Sequence, residues 1–99
     1  MEINERILFE IKHRFYYIEY PEGVPEQLWK DREGDCIYMS EMGLDHLKAS
    51  IRLIEKNLKD FKKSYERTNE WSELSKTILP LVSKKLQELK DVFNEKARI

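Results

Sequence analysis

Two apolar stripes with alternating spacings of three and four residues constrain the fold of this 99-residue chain more than any other feature. Side chains with this spacing lie on one face of an α-helix. The first stripe predicts a helix of about four turns, and the second predicts a helix that begins at Pro80 and runs to near Ala97. The stripes are Leu44, Leu47, Ile51, Ile54 and Leu58, then Leu79, Val82, Leu86, Leu89 and Phe93.

The rest of the chain supplies a third helical pattern and a hairpin. Residues 60–78 have roughly helical apolar spacing with a break at Thr68-Asn69, whereas residues 28–39 alternate around a polar turn and predict a β-hairpin. Residues 3–20 fit both periods, and the aromatic run from Phe15 to Ile18 favours a strand. We therefore predict an α-rich α+β fold in which a short β-hairpin is followed by three amphipathic helices. The single domain, 1–99, has an N-terminal segment and hairpin over 1–42 and a helical part over 43–99.

Self-association is expected from the amount of apolar surface. A chain of this length buries roughly two thirds of its unfolded surface, and two matched stripes pair within one chain, between chains, or both. The first helix also has a narrow second face, which either the N-terminal segment or a second subunit covers. That face contains His46, Ala49, Leu53 and Asn57. The sequence thus predicts a homo-oligomer with Leu53 as a candidate interface residue.

Charge and cysteine content limit the class of protein. Residues 1–40 hold 5 Lys and Arg against 9 Asp and Glu, a net charge of −4, whereas residues 41–99 hold 13 against 10, a net charge of +3. This balance lacks the basic excess of a general nucleic-acid binder. Cys36 is the single cysteine, and the chain has neither a signal-peptide pattern nor 18 successive apolar residues. We expect a cytoplasmic protein without membrane contact.

Catalytic and metal-binding residues are few. The candidate bases are His13 and His46, and a Cys36–His46 pair is weighed against the more common role of a lone strand cysteine as a small buried hydrophobe, which is favoured. His46 has no His or Cys four residues further on, so no helical metal pair is predicted. The sequence predicts a protein that is not an enzyme and needs no cofactor.

Basic and aromatic residues are the best candidates for binding. A basic stripe lies about 120° from the apolar face of the first helix and suits either a phosphate-bearing ligand or, as favoured, ion pairs with Asp45, Glu55 and Asp60. Tyrosines near Arg14 and Arg32 suit either nucleobase stacking or core packing. The stripe comprises Lys48, Arg52, Lys56, Lys59 and Lys63. The predicted ligand-binding set is Arg14, Tyr17, Arg32, Tyr38, His46, Lys48, Arg52 and Lys56.

A sequence motif runs from a tryptophan in the predicted hairpin to the first predicted helix. Its structural residues are Trp29, Gly34, Met42 and Leu47, with His46 placed to bridge helix and strand. This pattern resembles a family of small phage-encoded accessory proteins, mostly without an assigned function, although Asp31 and Ala49 depart from it. The resemblance implies a non-catalytic counter-defence protein. We expect it to sequester a nucleotide-type immune signal such as a cyclic oligonucleotide; the alternative is that it binds and inhibits a host defence or nucleic-acid-processing protein.

Overall fold

A computed structural model describes residues 1–98 and confirms an α-rich α+β fold. It contains three α-helices, one two-stranded antiparallel hairpin and two short 3-10 turns, at Tyr16–Ile18 and Met39–Glu41. One helix precedes the hairpin and two follow it, so the predicted order, with all three helices after the hairpin, was wrong. The elements are α1 (Ile3–His13), β1 (Leu28–Lys30), β2 (Cys36–Tyr38), α2 (Leu44–Tyr65) and α3 (Trp71–Ala97).

The ambiguous N-terminal segment is helical. In α1 the side chains of Ile3, Ile7 and Ile11, spaced four residues apart, pack against the core. The strand interpretation of residues 15–18 was wrong, because this run forms a 3-10 turn in which the neighbours Tyr17 and Ile18 are both buried. A strand directs neighbouring side chains to opposite faces, so it would not place both in one core.

The hairpin forms as predicted, with Trp29 opposite Ile37 and Lys30 opposite Cys36. Its turn uses Gly34 at a φ of 91°, in the left-handed region that glycine adopts without a Cβ clash. Trp29 is buried, but Cys36 is exposed, so the expectation of a buried cysteine was wrong. The register explains this, because side chains of one strand alternate between faces and Cys36 lies on the outer one.

The two long helices, α2 and α3, are longer than their stripes predicted. Helix α2 has 22 residues, about six turns. It ends at Tyr65 and α3 begins at Trp71, so the non-helical connection contains the predicted break at Thr68-Asn69. Pro80 does not begin a helix but lies inside the 27 residues of α3. A proline there costs about 3 kcal/mol, and burial of Leu74, Ile78 and Val82 on one continuous face outweighs that cost.

One hydrophobic core joins all of these elements. The connection of residues 66–70 returns the chain so that α3 packs along α2, and α1 packs against α3. The hairpin and the first 3-10 turn close one side through the stacked rings of Tyr17 and Trp29. Gly43 is the N-cap residue of α2, and Met42 and Leu47 beside it are fully buried. The molecule is elongated, with extents of 47 × 26 × 19 Å.

Candidate functional site

Five basic side chains form an exposed row along α2. Because they recur every three or four residues, they cover one strip of the helix surface, and the row is about 22 Å long. All five side chains are exposed. We call this row the cationic ridge; it consists of Lys48, Arg52, Lys56, Lys59 and Lys63.

Most of the ridge has no ion-pair partner among residues 1–98. Lys56 Nζ lies 3.2 Å from Asp60 Oδ2. Glu55 instead pairs with a residue of α3, because its Oε2 lies 3.5 Å from Lys90 Nζ. Among residues 1–98, no carboxylate oxygen lies within 4.0 Å of the remaining cations. The ion-pair interpretation therefore applies to Lys56 alone. The unpaired members are Lys48, Arg52, Lys59 and Lys63.

Two residues of the predicted ligand-binding set are engaged within the fold. Tyr17 is fully buried, its ring stacks on Trp29 at 5.0 Å, and its hydroxyl accepts a hydrogen bond of 2.9 Å from the Asn57 amide. Burial raises the pKa of this hydroxyl. Arg14 is half-buried, with Nε 3.2 Å from a Glu10 carboxylate oxygen. Tyr17 thus has no exposed ring for a nucleobase, and Arg14 is engaged within the fold.

The second face of α2 meets the N-terminal segment at its C-terminal end. Besides Tyr17, the Asn57 amide donates to the backbone carbonyl of Arg14 at 3.1 Å, and Leu53 packs against the core. His46 and Ala49, at the other end of that face, are exposed. The N-terminal segment, one of the two coverings expected from the sequence, therefore contacts this face at Asn57.

Two residues of the predicted ligand-binding set, Arg32 and Tyr38, lie in the hairpin and not on α2, where the cationic ridge lies. The Arg32 guanidinium covers the Tyr16 ring at 4.9 Å, and the Lys30 ammonium lies 4.6 Å from the centre of the Tyr20 ring. Tyr38, on β2, is 61% exposed. Two of the aromatic faces considered for stacking are thus already occupied by cations of the same chain.

Two concave regions lie elsewhere on the surface, and neither is lined by a residue of the predicted set. The larger, of about 490 Å³, lies between α1, the segment after the first 3-10 turn, and Leu81 of α3. We call it the apolar groove; its apolar lining includes Leu8, Ile11, Ile18, Tyr20, Val24 and Leu81, and Lys12 and Glu19 add one charge of each sign. The smaller, of about 80 Å³, lies beside Lys85.

A buried charged group that the sequence prediction missed fixes the segment before β1. Lys85 is 1% exposed, and its ammonium donates to the carbonyl oxygens of Pro25 and Leu28 at 2.8 and 2.9 Å and pairs with Glu88 at 2.9 Å. Glu88 in turn accepts a hydrogen bond from the backbone amide of Gln27. A signal existed, because Lys85 lies three residues after Val82 and four before Leu89, on the apolar side of α3.

No protein-family model, curated protein or solved structure matches this chain. No helix within residues 1–98 is long and apolar enough to cross a membrane. Over the same residues, no group of three or more His, Cys, Asp or Glu side chains is placed to hold a metal ion. The exposed thiol of Cys36 lies 3.9 Å from the Tyr20 hydroxyl.

Proposed function

We propose that this protein is a non-catalytic interaction protein that binds an acidic surface of another protein through the cationic ridge. The observation that carries the proposal is a row of four cations on one exposed side of α2 that have no ion-pair partner in the described part of the chain. Given the resemblance to phage accessory proteins, the proposed partner is a host defence or nucleic-acid-processing protein, which the bound protein inhibits by occupying its surface.

The charge arrangement favours a partner with carboxylates spread over a surface. Glu55 and Asp60, the acidic residues nearest the middle of the ridge, are engaged by Lys90 and Lys56, so they compete little for the other cations. Complementary charge accelerates association and excludes wrongly charged partners more than it adds affinity. A ridge about 22 Å long is long enough to meet several carboxylates on a partner's helix or strand.

The shape of the ridge favours a protein over a small nucleotide. Small ligands are held in concave sites that bury most of their surface, whereas the ridge is the convex side of a helix. The binding of long nucleic acid is opposed by the acidic N-terminal part, where residues 1–40 have a net charge of −4, and by the overall charge of −1. Sequestration of a cyclic oligonucleotide stays a prediction, and the following experiment tests it alongside.

The experiment measures fluorescence anisotropy of three labelled probes: a Glu-rich peptide long enough to span the ridge, a cyclic dinucleotide and a single-stranded DNA. The test variant combines Lys48→Gln, Arg52→Gln and Lys59→Gln. Removal of three charge contacts should weaken peptide binding by about 10- to 100-fold, and added salt should reduce the difference.

The matched control combines Arg67→Gln, Lys76→Gln and Arg98→Gln. These residues are exposed, lie outside the ridge and have no ion pair among the described residues, so net charge changes by the same amount. We expect less than about a threefold effect, because the lost charges do not touch the peptide. Equal losses in both variants would contradict a ridge-specific site. Tight binding of the dinucleotide instead of the peptide would favour the sequestration hypothesis.

A further inference from the structure

Helix α1 has an outer face that the other described residues leave uncovered. Leu8 and Phe9 are 67% and 45% exposed, on the side opposite the isoleucines that pack against the core. Glu5 lies three residues before Leu8, and Lys12 lies three residues after Phe9, so all four share one side of the helix. We call these four residues, Glu5, Leu8, Phe9 and Lys12, the outer stripe.

The order of residues in the outer stripe is complementary to itself. If two copies of α1 cross antiparallel about a two-fold axis midway between Leu8 and Phe9, Leu8 meets Phe9 of the other copy and Glu5 meets Lys12 of the other copy. Isologous interfaces require this kind of self-complementarity. Neither Glu5 nor Lys12 forms an ion pair with any residue in the described range 1–98, so both charges are available.

The apolar groove lies beside the outer stripe and adds a receptor for a projecting side chain. Leu8 and Lys12 belong both to the stripe and to the lining of the groove. In the antiparallel arrangement, the Phe9 ring of one copy lies against Leu8 of the other, at the mouth of the 490 Å³ groove. The exposed Phe9 side chain and the groove that receives it therefore lie on the same face of the molecule, as a symmetric interface needs.

We propose that the protein forms a two-fold symmetric homodimer in which the α1 helices pack antiparallel and each Phe9 enters the apolar groove of the other subunit. A second copy fits this face because the stripe has one charge of each sign at matching distances from its centre. A standard interface takes about 800 Å² from each subunit, about 12% of the 6786 Å² surface of this chain. The cationic ridge lies on α2, outside this interface.

Light scattering after size-exclusion chromatography tests the dimer first. The wild-type chain should have twice the monomer mass of 12.0 kDa. Phe9→Glu should weaken the dimer more than about 100-fold, because it places a carboxylate in an apolar groove. Tyr38→Glu is the matched control, since Tyr38 is exposed on β2 and should leave the dimer intact. A wild-type monomer at several hundred micromolar, or a Phe9→Glu variant as dimeric as the wild type, would overturn the proposal.

Charge reversal tests the antiparallel register. Glu5→Lys and Lys12→Glu should each weaken the dimer about fivefold or more, because each creates two like-charge contacts across the axis. The double variant should recover most of that loss, since it restores both pairs with their signs exchanged. Each reversal also opposes the helix dipole, so thermal melting of every variant is measured alongside. Failure of the double variant to recover, with folding intact, would overturn the antiparallel arrangement.

Discussion

The α2–α3 pair and the segment of residues 21–28 are held in place by different kinds of interaction. The helix pair is joined by fully buried apolar side chains, among them Ile54, Phe61 and Leu74. The segment is joined to α3 by polar and charged groups, chiefly the buried ammonium of Lys85 and the carboxylate of Glu88. Apolar packing is non-directional and shared among many atoms, whereas the segment depends on single side chains. A substitution in the helix pair should therefore destabilise the whole fold, whereas a substitution that removes an anchor of the segment should have a local effect.

Truncation of Phe61 should have the largest effect and should reach both α3 and the N-terminal segment. The ring is fully buried, and its centroid lies 5.2 Å from that of Phe15 and 5.4 Å from that of Trp71. It therefore connects α2 with both the N-terminal segment and α3. Phe61→Ala should lower the free energy of unfolding by about 3 to 5 kcal/mol. Urea unfolding followed by circular dichroism and by tryptophan fluorescence should shift together. Separate transitions in the two signals would show that the regions do not share one core.

Replacement of Lys85 should release the segment and spare the helices. Lys85→Met keeps most of the side-chain volume but leaves two carbonyl oxygens without their donor and Glu88 without its cation, at a cost of about 2 to 3 kcal/mol. Hydrogen exchange at the Gln27 amide should accelerate more than exchange at amides in the middle of α2. Lys84→Met is the matched control, because its pair with Glu26 is exposed on both sides and should not change the exchange rates. Equal acceleration throughout the chain would contradict the local character of this anchor.

The smallest effect at neutral pH is expected at Tyr17, where the N-terminal segment meets α2. Tyr17→Phe removes one hydrogen bond to Asn57, worth about 1 kcal/mol. Burial raises the pKa of the Tyr17 hydroxyl above its ordinary value of 10.0, so above that pH the unfolded chain loses a proton that the folded chain retains. The contribution of Tyr17 to stability should therefore be constant below about pH 9 and fall as the pH rises through 10.

The phenylalanine variant has no such proton at residue 17, so its stability should fall less steeply above pH 10. Denaturant titrations at pH 7, 9, 10 and 11 measure both slopes. Parallel curves for the two proteins would show that ionisation of Tyr17 does not limit alkaline stability.

The parts of the fold that could be predicted from sequence depend on regular spacing. The stripe beginning at Leu44 located α2, and alternation around Gly34 located the hairpin. Pro80 misled the prediction, because its local penalty is visible in sequence whereas the compensating burial along α3 is not. The strand expected near Tyr17 failed for a similar reason, since aromatic residues favour strands locally but here close the core in a turn.

The position of the basic residues in the candidate site could be predicted from the sequence, but their ion pairs could not. Spacing alone placed Lys48, Arg52 and their neighbours on one side of α2. Whether they were paired depended on Glu55, which reaches Lys90 of another helix, and no local rule reveals that contact. The exposure of Leu8 and Phe9 was equally hidden, because it depends on which side of α1 the other elements cover. Tertiary placement thus decided both surfaces that we propose for binding.

The position of α3 after the elements that it contacts also sets the order of events during synthesis. Arg6 meets Glu70 across 64 residues, and Pro25 meets Lys85 across 60. A nascent chain therefore emerges from the ribosome with α1 and the hairpin made long before the partners that bury them, whereas α2 and α3 need close only a short connection. Until α2 emerges, Phe15 lacks its partner Phe61 and Tyr17 lacks its partner Asn57, and co-translational chaperones have that interval in which to bind the aromatic run at residues 15–18.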